Sequence, residues 1–228
     1  MSRPDVSKGN RTRTALGREE IARAALEMLD EEGVQALTMR RLADRLGAGT
    51  MTLYGYFRSK QELLDAAVGA AVEDFHWSPD TGGSLRDRLR AHQKAVREML
   101  LVHPALPQLR AHQPMVQPAA FRLSEPAMRM LLDAGFPPEE AARTFRVLFV
   151  YVLGSMLFGP DELTAEQRRG IKAALLLLPD DEFPAIARMP DELAASMGGE
   201  VQFDYGLDLI LDGIEARAAR HSAASSHQ

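Results

Sequence analysis

The stretch that decides the fold is Leu37-Thr38-Met39-Arg40-Arg41-Leu42-Ala43-Asp44-Arg45-Leu46-Gly47, followed after two residues by Thr50-Met51-Thr52-Leu53-Tyr54-Gly55-Tyr56-Phe57-Arg58-Ser59-Lys60-Gln61-Glu62. Thr38 is placed to N-cap a short helix whose Leu42, Ala43 and Leu46 point inward. Gly47 breaks that helix, and a third runs from about Thr50 to Phe57, with Leu53 and Phe57 one turn apart for the core. Upstream, Ile21, Ala25, Met28 and Leu29 share one face of a helix over 18–32 that Gly33 ends. Downstream, Ser59 and Glu62 read as a capping box opening a fourth helix to about Phe75. A second and third helix joined by a tight Gly-containing turn make a helix-turn-helix. The later helix of such a pair enters the major groove while the earlier one braces it across the backbone. Thr50, Thr52, Tyr54 and Tyr56 carry hydroxyls that can bond phosphates or base edges, and Arg40, Arg41 and Lys60 flank them as phosphate partners. A generic helical bundle with Thr and Tyr on its surface fits the same spacing.

The rest of the chain also reads as helix only. The hydrophobic fraction is 46% and aromatics are 6% of 228 residues, a balance that favours an all-α fold with a real core. Helices are expected over about 84–102, 119–134, 137–159, 166–178 and 200–218. Pro104, Pro107, Pro114 and Pro118 cut the intervening chain into short pieces. Absence of cysteine excludes disulfides, thiolate metal sites and Cys catalysis. Neither a signal peptide nor a membrane span is expected, because the apolar run Val147–Phe158 is shorter than the roughly 20 residues a bilayer needs. The net charge is −5, split as +2 on residues 1–62 and −7 on the remainder. A basic end on an acidic body is an asymmetry found in nucleic-acid binders, and also in proteins whose charged tail only solubilises.

The quoted segment resembles the N-terminal domain of the tetracycline-repressor (TetR) family, with the spacing from the first helix through Tyr54-x-x-Phe57-x-x-Lys60 held without a gap. The remainder is more weakly similar, through Ala134-Gly135-Phe136, Leu153-Gly154 and the run from Phe203 to Glu215. The resemblance implies an all-α homodimeric repressor, soluble and cytoplasmic. Its basic arm (1–16) precedes a helix-turn-helix domain (17–62), a fourth helix (59–75) connects to a ligand-binding and dimerisation domain (63–218), and a disordered tail (219–228) follows. It implies DNA contacts, on a palindromic double-stranded operator, at Arg40, Thr50, Met51, Thr52, Tyr54, Tyr56 and Lys60. Gly55 departs from the bulkier residue common at its position and can make no side-chain contact.

An effector pocket is expected among His76, His92, Val96, Arg110, Ala127, Val150 and Phe158, where His76 and His92 coincide with polar pocket positions of the family. Arg110 and Phe158 stand where the tetracycline repressor's metal-linked groups are expected. Phe cannot supply the hard donor that magnesium needs, so the expectation is a small, largely apolar effector with no metal and no cofactor. His103, His112, His221 and His227 show no metal-ligand spacing. No phosphate loop or nucleophile elbow appears, so the chain is not expected to be an enzyme. Two other functions stay open: a DNA-binding regulator with no small-molecule input, and a helical enzyme with a fortuitous helix-turn-helix.

Overall fold

The structure is a computed structural model that describes residues 16–73, 75, 77, 78, 82–112, 118–159 and 162–225. It is all-α, with no strand among the described residues. Two compact units divide between Ala70 and Ala71. That boundary falls eight residues later than the one expected at 62/63, inside a continuous helix.

The first unit holds α1 (Arg18–Glu32), α2 (Met39–Arg45), α3 (Thr50–Tyr56) and most of α4 (Lys60–Glu73). Its core is the expected apolar set, with Ile21, Ala25, Leu29, Leu42, Leu53, Phe57 and Leu63 all inaccessible to solvent. The local signals work as the chemistry requires. Gly33 leaves α1 at φ 82, and its N–H donates to the Leu29 carbonyl at 2.8 Å. The Thr38 hydroxyl accepts from the Arg41 N–H at 3.2 Å. At the start of α4 only half of the expected capping box forms. Ser59 Oγ accepts from the Glu62 N–H at 3.1 Å, but the Glu62 carboxylate reaches past Ser59 to accept from the Arg58 N–H at 2.7 Å.

The second unit is built on α5 (Leu85–Val102), opened by a full capping box between Ser84 and Asp87. Around it stand α6 (Ala105–His112), α7 (Pro118–Asp133), α8 (Pro138–Phe158) and α11 (Gly199–Ser225). α5 packs on α7, α8 and α11, and α8 packs on α6, α7 and α11. Arg86, Arg90 and Lys94 lie one turn apart along α5, each facing carboxylates of α11. Arg86 pairs with Asp208 at 2.7 Å and with Asp212, Arg90 pairs with Asp208, and Lys94 pairs with Glu200 at 2.9 Å and Asp204 at 3.2 Å. A shared ladder fixes the register of two helices better than isolated surface pairs do.

Three features differ from expectation. The segment 162–198 contains α9 (Ala165–Leu176), a 3-10 turn (Ile186–Arg188) and α10 (Pro190–Ala195), packed chiefly on one another. α11 continues to Ser225 instead of fraying after 218, because Arg217 and His221 reach Glu140 of α8 at 2.8 and 2.9 Å and His221 lies against Phe136. Finally, the apolar run ending at Phe158 belongs to a helix of 21 residues that is long and apolar enough, by length and composition, to cross a membrane. Its first turns carry exposed Glu139 and Arg143, and one side packs into the second unit.

Candidate nucleic-acid interface and effector site

α3 is held from below and bare above. Leu53 and Phe57 anchor it in the core, while Met51 is 81% exposed, Tyr54 46% exposed and Thr52 exposed. Thr50 is half-buried at the first turn, and Gly49 before it has extended backbone. Arg40 on α2 and Lys60 at the start of α4 are exposed and enter no ion pair among the described residues. Five of the seven predicted DNA residues therefore sit on the open surfaces of α2, α3 and the start of α4, with Thr50 at their edge.

Tyr56 is different. It is half-buried, and its hydroxyl donates to the Leu16 carbonyl. The carbonyl of Tyr56 accepts from the Arg18 guanidinium, which also pairs with Glu62 at 2.8 Å and lies 4.2 Å over the Phe57 ring. The Arg58 N–H and the Arg18 guanidinium together hold the Glu62 carboxyl below the usual carboxylate range. The first turn of α1 is thus tied to the last turn of α3. Arg41, expected as a phosphate partner, instead donates to Glu32 and to the Ala36 carbonyl, and Arg45 pairs with Glu31 at 2.7 Å.

Of the predicted effector residues, His76 lies outside the described residues. His92 and Ala127 are in the interior of the second unit, 1% and 0% exposed, and Val96 is half-buried on α5. His92 receives the edges of Phe75 and Trp77, with ring centroids at 6.1 and 4.9 Å, and the Gln93 amide lies 3.2 Å from its Nδ1. Burial drives its imidazole down to about 4, opposed only in part by the Leu123 backbone, so the ring is neutral at pH 7. Nε2 of His92 and Nε1 of Trp77 are buried with no hydrogen-bond partner among the described residues. Such atoms cost free energy unless something pairs with them. Arg110, half-buried, stacks 5.1 Å over Phe149 of α8. Val150 and Phe158 stand apart on the outer face of α8, with Phe158 91% exposed. Trp77, Gln93 and Arg97 escaped the sequence reading. The one signal that could have raised Trp77 is that it is the chain's single tryptophan, next to a pocket candidate.

Two family profiles match this chain. "Bacterial regulatory proteins, tetR family" covers residues 21–67, and "Tetracyclin repressor-like, C-terminal domain" covers residues 78–218, more than half of the sequence. The chain belongs to the tetracycline-repressor family. An HTH-type transcriptional regulator of Saccharopolyspora erythraea is 32% identical over 217 residues, covering 92% of this chain and 89% of that protein. The class C tetracycline repressor protein of Escherichia coli is 30% identical over 210 residues, with 88% and 91% covered. Among solved structures, ActR of Streptomyces coelicolor in its apo form superposes with a TM-score of 0.78 at 26% identity, covering 90% of this chain and 97% of that one. ActR has also been solved with actinorhodin bound. Membership makes this tetracycline-repressor relative a DNA-binding transcriptional repressor rather than an enzyme, and α2–α3 is its helix-turn-helix.

Proposed function

We propose that this protein is a cytoplasmic repressor that binds a palindromic operator as a homodimer and leaves it when a small, largely apolar effector binds, without metal. The observation that carries the DNA half is α3, whose buried Leu53 and Phe57 turn Met51, Thr52 and Tyr54 outward between the exposed cations Arg40 and Lys60. Thr and Tyr hydroxyls read phosphate and base edges, and the cations position the helix on the backbone. One such helix reads only half a site, so a palindrome needs a second copy. The surface suited to that copy is the outer side of α8 and α11, where Val147, Val150, Phe158, Val201, Tyr205 and Leu209 are exposed. Exposed apolar residues gathered on two packed helices suit an association surface.

The effector half rests on His92, Trp77 and Ala127. A buried neutral imidazole and a buried indole N–H, both unpartnered and walled by rings, are what a flat, weakly polar molecule would satisfy. ActR with bound actinorhodin supports an effector of that chemistry. Arg110, over the Phe149 ring, is a permanent charge suited to one carboxylate or phenolate on the effector. Val150 and Phe158 belong in this reading to the subunit surface. α4 is the chain's continuous link between the two units, so an effector's preference of about 2–3 kcal/mol for one conformation lowers operator affinity roughly 30- to 150-fold. The experiment is to select operator sequences from random duplexes, screen compounds for release, and repeat release with excess chelator. Release that disappears with chelator contradicts the metal-free reading, and absence of any releasing compound supports a regulator with no small-molecule input.

A further inference from the structure

α3 carries a glycine for which the folded unit gives no reason. Gly55 is exposed, its backbone is ordinary right-handed helix, and a Cβ built on it would meet nothing within 4 Å. A glycine inside a helix lowers its stability relative to alanine, and this helix is only seven residues long. Among the described residues no turn, close packing contact or left-handed backbone requires it. Its place on the helix is what sets it apart. At about 100° per residue, Gly55 lies about 180° round α3 from the midpoint between Leu53 and Phe57, the two side chains that anchor it in the core. Met51, one turn earlier and 81% exposed, lies about 40° from Gly55, and the exposed Thr52 and Tyr54 fall on either side. The line of α3 farthest from the core therefore holds bare backbone and a thioether side chain, with hydroxyls only on its flanks. A helical side chain covers the surface over the turn before its own Cα. A side chain at position 55 would cover the patch between Met51 and itself, and glycine leaves that patch open.

We infer that this patch is a methyl-reading site: in each half-site a thymine C5-methyl group seats on the bare backbone at Gly55, against the side chain of Met51. The inference rests on the operator-binding reading above. A recognition helix lies in the major groove with its outermost line toward the base edges. Of the groups that base pairs show there, the thymine methyl is the apolar one, and the rest are hydrogen-bond donors and acceptors. Over those polar groups an apolar patch would displace water and return no bond, which is costly. Over a thymine methyl it buries apolar area on both partners. Gly55 sets this specificity by admitting the base edge to the helix backbone, and Met51 by supplying a flexible apolar wall. Thr52 and Tyr54 are left for the hydrogen-bonding positions beside it.

The test uses the full chain and the operator recovered by selection from random duplexes. Each thymine of the half-site is replaced in turn by deoxyuridine, symmetrically in both halves, which removes the methyl and leaves the base pairing unchanged. The wild-type chain is expected to show a thymine whose replacement weakens binding about fourfold per half-site, about fifteenfold in all, the worth of one buried methyl group in each. Met51→Ala should bind the unmodified operator more weakly and lose most of that methyl effect. Gly55→Leu fills the patch, so it too should bind more weakly and lose the methyl effect, with a melting temperature no lower than wild type because the position faces open space. Met51→Ala truncates an exposed side chain and decides the question independently of how Gly55→Leu folds. Half-sites in which no thymine methyl matters overturn the inference. So does a methyl effect of equal size in wild type, Met51→Ala and Gly55→Leu, which would put the contact elsewhere on the helix, and so does a Gly55→Leu variant that binds as tightly as wild type. Each of these outcomes leaves the palindrome standing and sinks this inference alone, whereas a chain that selects no palindrome sinks the operator-binding reading beneath it as well.

Discussion

Replacing Leu209 by Asp is expected to separate the subunits while leaving each one folded. Leu209 is 57% exposed on the outer side of α11, whereas Leu211 and Ile214, two helical faces away, are 0% and 4% exposed in the protomer's own core. Fully burying a leucine is worth about 1.5–3 kcal/mol, so covering the exposed part of Leu209 contributes about 1–1.5 kcal/mol. A two-fold interface contains the residue twice, which doubles the loss to about 2–3 kcal/mol. Two carboxylates would then have to be desolvated as well, at several kcal/mol more. A weakening of at least about 4 kcal/mol raises the dimer dissociation constant by a thousandfold or more. Sedimentation equilibrium and light scattering at micromolar protein should show a monomer with native helix content. Leu211→Asp should instead lower the melting temperature steeply, since it puts an unpaired charge inside the protomer. A Leu209→Asp variant that stays dimeric at micromolar concentration would refute the assignment of this face.

Lys60→Ala and Tyr54→Ala are expected to weaken operator binding with no change in thermal stability, and Lys60→Ala should flatten the salt dependence by about 1.8 for two half-sites. His92 has its folded pKa lowered to about 4, against an unfolded value near 6.5. The unfolded chain therefore binds the extra proton first, and stability is lost as pH falls from about 6.5 to 4, by up to about 3 kcal/mol. Urea titrations of wild type and His92→Gln at several pH values in that window should show the extra loss in wild type only. Gly206→Ala would place a methyl group against the Tyr151 ring, whose hydroxyl donates to the Phe203 carbonyl at 2.8 Å. A loss of about 1–3 kcal/mol by overpacking is expected in thermal or urea unfolding.

The helix-turn-helix was legible because its signals are local. Thr38, Gly33 and Gly47 act on their own turns, and the apolar spacing of Leu53 and Phe57 can point only one way in so small a unit. Where legibility failed, the deciding contact lay far away in sequence. An apolar stripe on α11 does not say whether its partner is α5 of the same chain or a second subunit; the structure puts Leu211 and Ile214 in the protomer's own core. Val150 and Phe158 entered the pocket reading through the family resemblance, although both are exposed on α8. Arg41 looked free until Glu32, nine residues earlier, came round to meet it. The tail past 218 has a sequence without apolar periodicity, and only Glu140 on another helix explains why α11 persists through it. The cluster of Trp77 and His92 joins a loop to α5, a meeting that no spacing rule predicts.

The central claim is that two copies of this chain read a palindrome through α3. Selection of bound duplexes from a random pool, followed by titration of the winning sequence in a sedimentation experiment, tests it directly. The account predicts an inverted repeat, an even number of chains on each operator, and loss of sequence preference in Thr52→Ala/Tyr54→Ala with the fold intact. Enrichment of no common sequence, or of a single unrepeated site bound by one chain, would contradict it.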